Sequence, residues 1–250
     1  MIIDSIGFSG THSISYILEK YAKNTYIIHG SKNPFSKEIM GVNDLTEYDF
    51  LQGVIELEKK LNKKVIVVHC YYPPDKLIPL CQQFGISYAL LLRNPVDQIS
   101  SCFNYGLLKI LKGDTYIFKE ISAEFIEKEK LFSKLNIKNN LSNNLYLWAF
   151  QRVTTFNLNA FQLGSKIYKM ENILNNYDNL NSAFGIEISD EINHHEKSIK
   201  LNSHKNIVND IISKIDDFSF PDEKILLENI SCRIRNQTYN ISQINQLFGY

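Results

Sequence analysis

An excess of charge of either sign is missing from this sequence. Its 250 residues carry 27 Lys and Arg against 27 Asp and Glu, a formal net charge of zero. A chain with no basic excess is not built as a general nucleic-acid binder or a membrane-surface protein, although a local pocket for one small anion stays open. Long apolar runs are missing too, since none approaches the ~18 residues of a membrane span. Ile2-Ile3-Asp4 follows Met1 directly, with no basic stretch before an apolar run, so no secretory signal is expected. Cysteine is scarce: Cys70, Cys81, Cys102 and Cys232 form no Cys-x-x-Cys pair and read as reduced thiols of a cytoplasmic protein. Repeats and low-complexity linkers are absent, and one domain over residues 1–250 is expected.

What is present is an ordinary globular composition, 44% hydrophobic and 22% charged. Short β-branched runs alternate with helical periodicity. Strands are expected at 2–7, 25–29, 64–69, 86–92 and 165–170, and helices at 12–23, 47–62, 75–84, from 95 onward, through much of 107–162, and at 171–184. Asn94-Pro95-Val96-Asp97 reads as an N-cap, a first-turn proline and a dipole-matched acid. From Ile188 onward only polar helices and loops are expected. The pattern gives an α/β fold: a three-layer architecture with a central parallel sheet of about four to five strands and helices on both faces.

In such a sheet ligands bind beyond the carboxyl ends of the strands. Three ends carry unusual residues. The first strand runs into Gly7-Phe8-Ser9-Gly10-Thr11-His12-Ser13, a glycine-rich turn opening a helix, which can aim backbone N–H groups at an anion. It also reads as a tight turn with Thr or Ser as cap. It is not a Walker A loop, for it has no lysine, and it lacks the last glycine of a Gly-x-Ser-x-Gly nucleophile elbow. The run Val65-Ile66-Val67-Val68 ends in His69, which reads as a general base or as a structural histidine. A third strand ends in Arg93, with Ser101 two turns beyond Asn94 on the following helix. That pair suits a phosphate clamp, while Arg93 alone suits an ion pair with a structural carboxylate.

These segments together resemble the sulfotransferases that use 3′-phosphoadenosine 5′-phosphosulfate (PAPS), a family with a P-loop NTPase-like fold. Gly7-Phe8-Ser9-Gly10-Thr11-His12 is similar to the family's 5′-phosphosulfate loop, and Val67-Val68-His69 to the strand ending in its catalytic histidine. Arg93-Asn94-Pro95 with Ser101, eight residues after the arginine, resembles its 3′-phosphate motif. Lys166 to Ile173 is a looser match to a late strand. The resemblance implies transfer of a sulfuryl group from PAPS to a hydroxyl or amine of a small-molecule, saccharide or lipid acceptor, with no metal required. His69 would be the catalytic base. Gly7, Phe8, Ser9, Gly10, Thr11, His12, Ser13, Arg93 and Ser101 would bind the donor.

The chain departs from the family at Phe8, where the loop usually carries Lys or Arg, and at Met170, where a tyrosine lies near adenine. Lys32, Lys76 and Lys205 are candidates for the missing cation. The segment His194 to His204 stands where the family often completes the 3′-phosphate site. Two other classes remain: a catalytically silent PAPS- or nucleotide-binding module, and a P-loop-type nucleotide or nucleoside kinase. Phe35, Tyr48, Phe50, Phe103, Tyr105, Tyr116 and Phe118 are candidates for lining an acceptor pocket.

Overall fold

The computed structural model describes residues 1–30, 45–123, 125–176, 178–189, 204–213 and 218–250. Lys32, Phe35, His194, His195, Lys197 and Lys200 lie outside them. The chain begins with β1 (Ile2–Asp4), α1 (Thr11–Tyr21), β2 (Thr25–His29), α2 (Glu47–Leu61), β3 (Lys64–Val68), α3 (Pro74–Phe84) and β4 (Tyr88–Leu92). Then come α4 (Pro95–Leu111), α5 (Thr115–Ala123), α6 (Phe125–Leu135) and α7 (Leu141–Gln162). They are followed by β5 (Lys166–Lys169), α8 (Met170–Asn175), α9 (Asp178–Phe184) and α10 (His204–Ile212). The chain closes with α11 (Glu223–Asn229), β6 (Ser231–Ile234), β7 (Gln237–Asn240) and α12 (Ile241–Phe248). Two compact units divide these elements. One comprises Met1–Arg93 and Phe156–Leu201, the other Asn94–Thr155 and Asn202–Tyr250.

The first unit holds the expected parallel sheet, with five strands in the order β2-β3-β1-β4-β5. Alternation along each strand sends side chains to two faces. Ile3, Ile66, Val68, Ala89 and Leu91 pack with Ile14, Ile17 and Leu18 of α1 and with Ile173, Leu180 and Phe184 of α8 and α9. Ile2, Ile28, Val65 and Val67 pack with Phe50, Leu51 and Val54 of α2 and with Leu77 and Cys81 of α3. Opposite faces follow from connection handedness. The β1-to-β2 crossover runs one way along the sheet and the β2-to-β3 and β3-to-β4 crossovers run the other, so right-handed connections must use opposite sides. The expected three layers are therefore present, and β3, β1 and β4, whose ends drew notice, are direct neighbours.

Helix boundaries follow local chemistry. Thr46 caps α2 by accepting from the Asp49 N–H at 3.1 Å, and Asn62 closes it in a left-handed conformation. Asn94 caps α4 as expected, accepting from Val96 N–H at 3.0 Å. The helix expected over 171–184 is two: Asn176 turns extended after α8, and its Oδ1 accepts from the Asp178 N–H as α9 begins. Phe50 and Phe103 are buried in the cores of the two units.

The second unit packs α4 with α10, and Phe103 against Tyr146 at 5.9 Å between ring centres. Asn143 of α7 exchanges two hydrogen bonds with Asp222, at 2.9 and 2.7 Å. The expectation of no strand after Ile188 is corrected here, because β6 and β7 form an antiparallel hairpin. Cys232 and Ile234 turn inward while Ser231 and Arg233 turn out. The turn Arg235-Asn236 puts Arg235 at φ 52, without the glycine that normally announces such a hairpin.

Gly30 fixes the distance between two strand ends. Its N–H donates to the Val68 carbonyl at 2.9 Å, and a side chain there would collide with the His69 backbone carbonyl. Gly30→Ala is expected to cost about 3 kcal/mol, the upper range for overpacking, read as a lower urea midpoint at unchanged slope. Unaltered stability would mean that the 69–70 backbone yields freely.

Candidate functional site

The strand order creates a switch point. The connection leaving β1 turns toward β2, and the one leaving its neighbour β3 turns toward β4. A crevice therefore opens beyond the carboxyl ends of β1 and β3. Seven residues other than glycine have positive φ among the described residues, and three of them are asparagines, which tolerate it. Of the other four, Phe8 (φ 62), His69 (φ 61) and Tyr71 (φ 65) all stand at this crevice, and only Arg235 does not. Bulky residues persist in that conformation where their surroundings over-determine it, and such strain collects at functional sites.

His69 directly follows β3, and its N–H donates to the Ile3 carbonyl at 3.0 Å. Its ring Nδ1 lies 2.6 Å from the Ser5 carbonyl oxygen. A carbonyl can only accept, so Nδ1 carries the proton, and in the neutral form of the ring the lone pair is then on Nε2. The Cε1–Nε2 edge faces Gly7: a methyl group on Gly7 would stand 3.6 Å from Cε1 and 3.7 Å from Nε2. The loop and the expected base are thus brought together. Tyr71, half-exposed, tilts over the His69 ring at 3.8 Å between centres.

Two further histidines join them. His29 ends β2 and lies 5.7 Å from His69 between ring centres, while His12, in the first turn of α1, stacks on His29 at 4.2 Å and 19°. His12 reaches solvent, yet loss of water around its ring pushes its pKa below the usual 6.5. Sequence reasoning placed His12 in the loop and passed over His29. The signal was there: Tyr26-Ile27-Ile28-His29 repeats the apolar-run-then-histidine pattern of Val67-Val68-His69.

The loop itself is tightly built. The Ser5 hydroxyl donates to the Gly7 carbonyl at 3.2 Å, and buried Ser9 donates to the same carbonyl at 3.4 Å. Gly10 is the N-cap of α1 at φ 68, and no side chain caps the helix there. Thr11 is buried, Ser13 half-exposed and Phe8 half-buried. The helix start therefore presents backbone N–H groups in the arrangement that suits an anion. Met170 covers Gly10 so closely that an added Cβ would lie 2.6 Å from its Sδ.

Arg93 follows β4 in the first unit and is half-buried; Ser101 belongs to α4 in the second unit. Of the candidate cations, Lys76 stands 4.0 Å from Glu47, and Lys205 belongs to the second unit.

Beneath the crevice lies a group the sequence reading missed. Asp4, fully buried at the end of β1, accepts from the backbone N–H groups of Ser5 (2.9 Å) and Cys70 (3.1 Å). It also accepts from the Cys70 thiol (3.1 Å) and the Tyr88 hydroxyl (3.0 Å). Burial raises the Asp4 carboxyl above its ordinary value despite these donors. Burial, with the Asp4 charge beside it, also pushes the Cys70 thiol far up, which leaves it inert as a nucleophile. An acid closing the apolar run Ile2-Ile3 was the available clue.

No family model, curated protein or solved structure matches this chain. Among the described residues no helix is long and apolar enough to cross a membrane.

Asp4 makes stability depend on pH with a defined sign. Its folded pKa is raised, so the folded state holds the proton more tightly than the unfolded chain. Its contribution is complete below the ordinary 3.8 and is lost as pH climbs through the folded pKa. Asp4→Asn removes this titration. The expected result is that wild-type stability, measured relative to Asp4→Asn by urea unfolding, falls as pH rises above about 3.8. Cys70 and Tyr88 titrate far higher and add no slope there. A pH-independent difference would refute the raised pKa.

Proposed function

We propose that this chain is a sulfotransferase of the P-loop-like class, working in the cytoplasm. It moves a sulfuryl group from PAPS to a hydroxyl or amine of a small-molecule, saccharide or lipid acceptor. The observation that carries the reading is His69: its Nδ1 is committed to the Ser5 carbonyl, and its Nε2 edge turns to the glycine loop at the switch point. The donor set also fits. A left-handed Gly10 opens α1 without a side-chain cap, and Arg93 stands two strands from His69 at the same sheet edge.

The donor supplies a sulfuryl group on a good leaving group, the adenosine bisphosphate. The work of the chain is then positioning and charge stabilisation. Backbone N–H groups at Gly10–Ser13 hold the 5′ anionic end. Arg93 takes the 3′-phosphate through its guanidinium. His69 accepts the acceptor's O–H or N–H proton at Nε2, while the Ser5 carbonyl keeps the ring from rotating and stabilises the imidazolium. A silent binding module is the second reading, favoured by Phe8 at the loop position where a cation is usual.

Thermal shift with adenosine 3′,5′-bisphosphate beside AMP and ATP tests the ligand class, since a ligand of the folded state stabilises by mass action. Arg93→Ala is expected to weaken the bisphosphate by about 2–4 kcal/mol and AMP much less. Equal loss for both would make Arg93 structural. His69→Ala is expected to cut single-turnover transfer by roughly 10²–10⁴ while donor affinity stays within about threefold. His69→Asn is expected to fail alike, because it keeps hydrogen bonding without basicity. Full transfer by a folded His69→Ala protein would remove this residue from the mechanism, and binding without any transfer would favour the silent module.

A further inference from the structure

The loop has a charge problem. No Lys or Arg occurs before Lys20, so an anion held by Gly7–Ser13 meets N–H groups, hydroxyls and a desolvated histidine from its own segment, but no fixed positive charge. The buried Asp4 nearby adds negative character. A dianionic or sulfonated group placed there needs a cation from elsewhere in the fold.

The sheet edge offers one. The strand ends read Asp4 on β1, His29 on β2, His69 after β3, Arg93 after β4 and Lys169 on β5. Among these five described strand ends, the cations stand on the β4–β5 side. Register fixes the height of Lys169. Asp4 pairs with Leu90 and Leu92 pairs with Lys169. Lys169 is thus level with the chain two residues beyond Asp4, where the loop begins. Sideways it is two strand spacings from β1, about 10 Å. The next residue closes the gap: Met170 lies with its Sδ directly over Gly10. The segment that carries Lys169 therefore also sends the Met170 side chain onto the glycine turn. Lys169 is half-buried, so its stem is held while the site stays open to a ligand.

We propose that Lys169 supplies the positive charge for the anion held over Gly10, in place of a loop lysine or arginine. This rests on the sulfotransferase reading, and there the anion is the 5′-phosphosulfate end of the donor, with Arg93 beside it serving the 3′-phosphate. Splitting the two ends between Arg93 and Lys169 makes their losses distinguishable by ligand. The oxygens of the group in flight gather charge as the sulfur–oxygen bond to the leaving phosphate breaks and the bond to the acceptor forms, and a cation at that end of the donor stabilises them.

The test is calorimetric titration of the full chain with adenosine 3′,5′-bisphosphate and with 3′-AMP, which lacks the 5′-phosphate. Lys169→Gln keeps the stem and removes the charge. Its affinity for the bisphosphate is expected to drop tenfold or more, and for 3′-AMP less than threefold, with Lys169→Arg close to wild type. Equal loss for both ligands, or no loss, overturns the assignment. Thermal shift with inorganic sulfate separates this failure from failure of the functional reading. Sulfate stabilisation that depends on Lys169 in a protein that binds neither nucleotide keeps the cation assignment and discards the PAPS reading. Nucleotide binding indifferent to Lys169→Gln discards Lys169 and keeps the reading. A protein that binds neither nucleotide nor sulfate overturns both.

Discussion

The Asp4 carboxylate organises everything at the sheet's carboxyl edge. A buried carboxylate is costly unless its oxygens are satisfied, and this one is met by Ser5, Cys70 twice and Tyr88. Those donors come from the exit of β1, the exit of β3 and the start of β4, so one side chain ties three neighbouring strands. The Cys70 N–H is held between two left-handed residues, His69 and Tyr71. Without a fixed acceptor for that N–H the strained turn would relax, and the His69 ring would leave the Ser5 carbonyl.

Strain and tight packing act together at this edge. Gly30 leaves no room for a side chain against the His69 carbonyl, and Gly7 sets a residue without a side chain beside the Cε1–Nε2 edge. The result is a histidine that is almost fully buried yet faces a glycine-lined turn. Burial keeps water from rotating or solvating the ring, and the carbonyl at Nδ1 chooses its tautomer. This division of labour, one nitrogen for orientation and the other for chemistry, is what a positioned base requires.

The polarity of the edge is also divided. The β1, β2 and β3 ends supply an acid and histidines, whereas β4 and β5 supply an arginine and a lysine. A ligand lying along the edge would meet proton-transfer chemistry at one end and fixed positive charge at the other. In a chain whose net charge is zero, local arrangement rather than overall composition makes an anion site possible.

The sequence by itself determined the alternation of β-branched strands with amphipathic helices, the N-cap of α4, and the strand ends just before His69 and Arg93, while it carried the first strand to Gly7, three residues past its end at Asp4. These features are local, set by side-chain periodicity, turn chemistry and capping within a few residues. It missed the β6–β7 hairpin, because Arg235-Asn236 turns the chain without glycine, and it ran α8 and α9 together because neither glycine nor proline marks the extended Asn176. Tertiary structure alone decided which strand lies beside which. Order in a parallel sheet comes from crossover handedness and core packing between residues far apart in the chain, and no local pattern records it. The same long-range packing brought Asp4 under Cys70, His29 toward His69 and Met170 onto Gly10, pairs separated by dozens of residues or more, whose contacts exist only once the sheet has closed.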